Sequence, residues 1–294
     1  MDCLGDRSIV IKLATLLMSL LLINLYHSIA TASNAHYHSV KNHATQILKS
    51  SNNSTIRLSI QEIIDKKNQK LILIKLIDMK NNKPVTSNDL IEAHTQKIHL
   101  LIIDDSLTDY SHVHPVETAT PGVYQFEWQP TFEKASYRAW ADLLPTNTKT
   151  QEYVIADFPL TKTMKKTENH MDRHPFSEST VDGYTFKLSF DKTPLHAGKP
   201  AMGKIDITDA KGKSVHTLEP IMGAYAHIVG FNEDFKTVIH VHPMGKEPIK
   251  TSERGGPELQ FHVEPNKAGF IKLFAQVQIN GKTLFVPFGV TVNR

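Results

Sequence analysis

The chain has 294 residues, 40% of them hydrophobic and 21% charged, a composition that fits about two globular domains and excludes intrinsic disorder. Its 33 basic and 30 acidic side chains nearly balance and form no long runs, which argues against nucleic acid as a partner. The single cysteine is Cys3, so disulfides and thiolate ligands are excluded from everything downstream.

Residues 1–32 read as a secretory signal. Arg7 and Lys12 precede the apolar run Leu13 to Tyr26, and Ala30-Thr31-Ala32 supplies an A-x-A cleavage pattern. The run is short of the roughly 20 residues a membrane-crossing helix needs, so the processed chain is expected to be periplasmic or secreted and not transmembrane. An uncleaved anchor is the alternative. Residues 33–54 are polar, carry His36, His38 and His43, and read as a mobile arm.

From Ile56 the pattern becomes alternation and short apolar runs. Strands are predicted at Ile56–Ile63, Leu71–Ile77, Ile98–Ile103, Val123–Trp128, Tyr137–Asp142 and Tyr153–Asp157, with Pro121-Gly122 and the Asn/Lys/Pro cluster at 81–84 among the turns. Residues 159–180 read as a solvated linker containing His170, Met171 and His174. Beyond it the pattern returns, with strands predicted at Tyr184–Phe190, Ala201–Thr208, Ala224–Phe231, Thr237–Val241, Glu258–Val263, Phe270–Ile279 and Thr283–Thr291. Asn280-Gly281 between two apolar runs marks a hairpin. The expected fold is all-β: a tandem of two antiparallel immunoglobulin-like β-sandwich domains, residues 55–158 and 181–294.

The two halves repeat one another. His99 is followed by His112 and His114, and His227 by His240 and His242, each His-Val-His leading into a proline. Of the seventeen aligned positions from His99 and from His227, five are identical, and three of those five are histidine. The match continues through Tyr137-Arg-Ala-Trp140-Ala-Asp142 against Ile271-Lys-Leu-Phe274-Ala-Gln276. A period above 100 residues means two whole domains and not a solenoid.

Residues i and i+2 of a strand share a face, so His-x-His presents two imidazoles together. The third histidine, thirteen positions earlier, comes within reach if the two strands are hairpin neighbours. Three imidazoles suit copper or zinc. Met222 lies five residues before His227 and Met244 two after His242, whereas His94 and Val116 hold those places in the first half. The predicted metal ligands are therefore His94, His99, His112 and His114 in one set, and Met222, His227, His240 and His242, with Met244, in a softer one. A mixed His/Met set without cysteine favours copper, Cu(I) or Cu(II), over zinc. The absence of a cysteine ligand excludes a blue-copper site. His196, His216 and His262 belong to no such pattern and read as surface or turn residues, and Trp128, Trp140, Phe261 and Phe274 as core.

No nucleophile elbow, phosphate loop, dinucleotide fingerprint or His-Glu-x-x-His is present, so the chain is not expected to be an enzyme. A zinc-dependent hydrolase would need a carboxylate base that the spacing does not identify. The segments from His94 to Pro115, from Tyr137 to Pro145 and from Met222 to Phe231 resemble exported bacterial proteins with the YtkA-like domain. More distantly the chain is similar to periplasmic copper-binding proteins of immunoglobulin- or cupredoxin-like fold. The resemblance implies a β-sandwich, an extracytoplasmic location and copper handling. The leading expectation is a periplasmic protein that captures copper and delivers it to a periplasmic protein partner. The competing expectation is a structural or adhesive tandem of sandwiches whose histidines only pack.

Overall fold

A computed structural model describes residues 46–48, 54–158, 171–241 and 243–294. The segment read as a signal lies outside the described residues, and so does most of the arm. Among the described residues no helix is long and apolar enough to cross a membrane, and the one helical element is the 3-10 turn Ser87–Asp89. Everything else regular is strand.

The chain enters through β1 (Gln46–Leu48). The first repeat then runs β2 (Ile56–Asp65), β3 (Lys70–Asp78), β4 (Ile98–Asp104), β5 (Tyr110–Val113), β6 (Val116–Glu117), β7 (Val123–Trp128), β8 (Tyr137–Leu143) and β9 (Glu152–Phe158). The second comprises β10 (Glu178–Val181), β11 (Tyr184–Phe190), β12 (Leu195–His196), β13 (Ala201–Thr208), β14 (Leu218–Glu219), β15 (His227–Asn232), β16 (Val238–Val241), β17 (Pro243–Met244), β18 (Glu258–Val263), β19 (Gly269–Ile279) and β20 (Lys282–Asn293).

Each repeat is a two-sheet sandwich. In the first, the sheet β2-β3-β7-β6 lies over β5-β4-β8-β9. In the second, β10-β11-β13-β18-β17 lies over the sheet containing β16-β15-β19-β20, which β1 extends at its β16 edge and β12 at its β20 edge. All pairings are antiparallel except that of β12 with β20. The two repeats carry the same strand order, and the fold is the tandem of antiparallel immunoglobulin-like sandwiches that the alternation predicts.

Two segments differ from expectation. Part of the arm, Gln46–Leu48, is a strand with Gln46 opposite His240. The end of the predicted linker forms β10, and Phe176 before it bridges to Gly289. Both stretches are too polar and too short to announce themselves by periodicity. Their hydrogen bonds come from the edge strands they pair with, β16 and β11.

Strand β4 is buried along its whole length, which an alternating half-exposed strand would not be. Ile98, Leu100 and Ile102 face the interior of the first sandwich, along with Tyr137, Ala139 and Ala141 of β8. His99, Leu101 and Ile103 are turned the other way. There a third core forms from Leu101, Ile103, Leu107, Tyr110, Trp140 and Tyr153 of the first repeat against Val229, Phe231, Val238 and Phe274 of the second, with Phe235 and Phe285 packed on it. Under the repeat alignment these are six matched pairs. His99 also faces its own counterpart His227, the rings nearly parallel (12°) with centroids 6.2 Å apart. The repeats therefore meet face to face about an approximate two-fold axis, each contributing the same patch. Arg138 fastens the rim, donating to the Phe235 carbonyl at 2.6 Å and lying over its ring.

One close contact inside the second sandwich is testable. Gly203 pairs across the sheet with Phe261, whose fully buried ring covers the glycine. A Cβ at residue 203 would sit 2.2 Å from that ring. Gly203→Ala is expected to destabilise the protein by about 1–3 kcal/mol through overpacking, read as a lower urea midpoint at unchanged slope.

Candidate metal centre

The β4–β5 hairpin sets Leu101 opposite His112, which carries His112 and His114 to the side of His99. In the second repeat Val229 stands opposite His240 in the same register. The hairpin neighbourhood required of the thirteen-residue spacing is thus present in both repeats. His99, His112 and His227 are buried at the repeat interface, and His114 is partly so.

Nδ1 of His99 lies 3.2 Å from Nε2 of His112 and 3.2 Å from Nε2 of His114. One nitrogen from each ring falls within 4.8 Å of the others. Nitrogens bound at about 2.0–2.1 Å to one tetrahedral ion are about 3.3 Å apart, a spacing that the two contacts of His99 already approach.

The other ring nitrogens settle which atoms face inward. Nε2 of His99 donates to the Ala93 carbonyl at 2.9 Å, because a carbonyl can only accept. Nδ1 of His112 donates to Oε1 of Gln276, also at 2.9 Å. In the neutral rings Nδ1 of His99 and Nε2 of His112 are then lone pairs pointed at each other. Nε2–H of His114 can donate into Nδ1 of His99 at 3.2 Å, and a proton or a metal ion between the rings would relieve the facing lone pairs. Burial, and then the charge of His99, lower the His114 pKa from 6.5 to about 4, so His114 is neutral at pH 7 and available as a ligand.

That depressed value has a sign. Between pH 6.5 and about 4 the unfolded chain takes up a proton that folded His114 resists. The contribution to stability is complete above pH 6.5 and is lost as the pH falls through about 4. Urea midpoints of the wild type should drop from pH 7 to pH 4, and His114→Ala should show a smaller drop.

The carbonyl that orients His99 belongs to a tight turn. Ala93 and Gln96 exchange two backbone hydrogen bonds around His94 (φ 49°) and Thr95 (φ 69°), the two-positive-φ pattern of a type I′ turn. A β-branched threonine is strained in that conformation. Ile221 and Ala224 close the matching turn around Met222 (φ 51°) and Gly223 (φ 80°). His94 reaches the centre's edge, its ring 6.2 Å from that of His99.

The remaining predicted ligands fall as follows. His227 approaches the first set from the other repeat, its ring 4.8 Å from that of His112. His240 is placed by backbone register, and His242 lies outside the described residues. Met244 sits on β17, which pairs with β18 in the other sheet of its sandwich, and is 55% exposed. Its counterpart Val116 is equally exposed on β6, so a sequence offset of two from His-Val-His marks a crossing to the far sheet.

Gln276 escaped the motif search because it belongs to no metal pattern. A signal existed: it aligns with Asp142, and both are polar within otherwise apolar strands. Of the turn acids, Asp104 accepts the amides of Ser106, Thr108 and Asp109, and Asp234 those of Lys236 and Thr237. These carboxylates cap turns. Among the described residues the histidine group includes no carboxylate. His196 and His216 are exposed, and Trp128 and Phe261 are core, as expected; Trp140 and Phe274 fill the repeat interface.

No characterised protein sequence matches the chain. Among solved structures, the chain is similar to the Escherichia coli adhesin FdeC at 10% identity and a TM-score of 0.24, covering 85% of this chain and 66% of that one. MtrC from Shewanella baltica OS185 gives 7% and 0.23, covering 81% and 69%. A β-glycosidase from Bacteroides vulgatus gives 10% and 0.23, covering 82% of this chain and only 25% of its own length. Likenesses of this strength carry no weight for function. The sequence does match one family model twice, over residues 49–158 and 179–294, and the chain therefore belongs to the family described as "Domain of unknown function (DUF8832)".

Proposed function

We propose that the protein is an exported metal carrier whose His99, His112 and His114 capture a copper ion at the interface of its two repeats. The observation that carries this reading is the convergence of three imidazole nitrogens whose partner nitrogens already donate outward in two of the rings. A water-shielded, all-nitrogen set accepts Cu(II) ahead of Zn(II) by the usual affinity order. Its burial suits holding an ion during carriage. The resemblance to YtkA-like exported proteins agrees with this reading, and a periplasmic acceptor protein would be the partner.

Copper and zinc titration of the purified chain tests it. The wild type is expected to bind copper tightly and stoichiometrically, and His112→Ala/His114→Ala to lose one ion per chain. Unchanged binding in that variant would remove the metal from this site. The histidines would then be packing residues of an adhesive or structural tandem.

A further inference from the structure

His99, His112 and His114 all come from one repeat, yet the hydrogen bond that orients His112 comes from the other. Gln276 lies on β19, is 5% exposed, and is separated from His112 by 164 residues of chain. Its register partner on the neighbouring strand is His227, just as His99 is the partner of Asp142. His227 in turn places its ring against that of His112. Repeat 2 thus supplies both the outer partner and the adjacent wall of a site whose ligands it does not provide.

We propose that Gln276 is a positioning residue for the metal centre, and that ion binding in the first repeat is thereby coupled to docking of the second. The inference rests on the metal-binding reading above. The Gln276 carbonyl oxygen accepts from Nδ1 of His112, which holds the proton there, helps fix the ring and leaves Nε2 as the donor atom. If the repeats separate, that acceptor is replaced by water and the ring loses the restraint it supplied. An ion that requires Nε2 inward must therefore favour the docked arrangement, and docking must raise affinity by the same factor. The matched place in the first repeat is held by Asp142, buried and accepting from Gln151 at 2.6 Å, so a carboxylate fits a site of this kind.

The test compares Gln276→Met, which keeps the bulk and removes the acceptor, with Gln276→Glu, which keeps an acceptor. Zn(II) affinity is measured by competition with a chromophoric chelator, beside the wild type and His112→Ala/His114→Ala. Apo unfolding of every variant is followed so that only folded protein is compared. Loss of an outer hydrogen bond to a ligating histidine weakens binding about 10–100-fold, and that is the change expected for Gln276→Met, with recovery in Gln276→Glu. Amide exchange supplies a second readout. Zinc should slow exchange in β15 and β19 of the wild type, although the three ligands lie in repeat 1, and Gln276→Met should abolish that effect.

Wild-type affinity in both Gln276 variants, with zinc lost from the double-histidine variant, would overturn the positioning role and leave the site standing. Equal weakening in both would make Gln276 a packing residue and also overturn it. Zinc protection confined to repeat 1 would overturn the coupling. Full binding by His112→Ala/His114→Ala would overturn the site itself.

Discussion

Trp140→Ala is expected to lower the unfolding free energy by about 3–5 kcal/mol, the cost of removing a fully buried indole and leaving a cavity. The residue is 1% exposed and lies in the core between the repeats, with Phe231 at 5.5 Å and Phe235 at 6.1 Å from its ring. It contributes little to either sandwich interior, so the loss falls on docking. Urea unfolding should show it as an earlier transition, followed by the separate unfolding of the two sandwiches. Trp140→Phe sharpens the test. The indole N–H has no hydrogen-bond partner among the described residues, so phenylalanine discards an unsatisfied donor while retaining most of the apolar area. That variant should lose less than about 1.5 kcal/mol. A large loss from Trp140→Phe, equal to that of alanine, would mean that the N–H matters and the packing account is wrong.

Zinc or copper at a thousand times its Kd should raise the unfolding free energy by about 4 kcal/mol, because an ion bound only by the native fold stabilises it by mass action. The triad exists only when β4 and β5 are paired, since its members are fifteen residues apart along the chain at most and converge through that register. A chelator such as EDTA should reverse the gain completely. His112→Ala/His114→Ala should show neither the gain nor its reversal. The same variant without metal leaves the buried Gln276 carbonyl without its His112 donor, so its apo form should unfold somewhat earlier than the apo wild type. Differential scanning with and without metal reads both quantities.

Much of the sandwich was legible because alternation and turn residues report local burial. Val123–Trp128, Tyr184–Phe190, Ala201–Thr208 and Glu258–Val263 occur at the predicted residues. Tyr110–Val113 was missed as a strand: it lies at a sheet edge and alternates Tyr and His with Ser and Val, which gives no apolar period. The convergence of His99, His112 and His114 could be read from spacing, since strand period and hairpin pairing dictate it. The docking of the repeats was harder. Its signature is the unbroken run Ile98–Ile103, which marks a strand covered on both faces, but such a run does not say what covers the second face. The partner is another copy of the same patch more than a hundred residues away. Only the tertiary arrangement shows that His227 adjoins the first set, and that Gln276 serves a ring in the other repeat.

The matched face that joins the repeats has a further consequence. Two identical subunits meeting about a two-fold axis must place the same residue on both sides of it, so any substitution near the axis is made twice. Here the halves are covalently joined, and each side of the axis can change alone. Gln276 stands in the place of Asp142, and Met222 in that of His94, at positions a homodimer would be obliged to keep identical. Fusion thus permits the two sides of the interface to differ in charge and softness, with His94 and Asp142 in one repeat and Met222 and Gln276 in the other, within a scaffold that keeps the symmetry elsewhere.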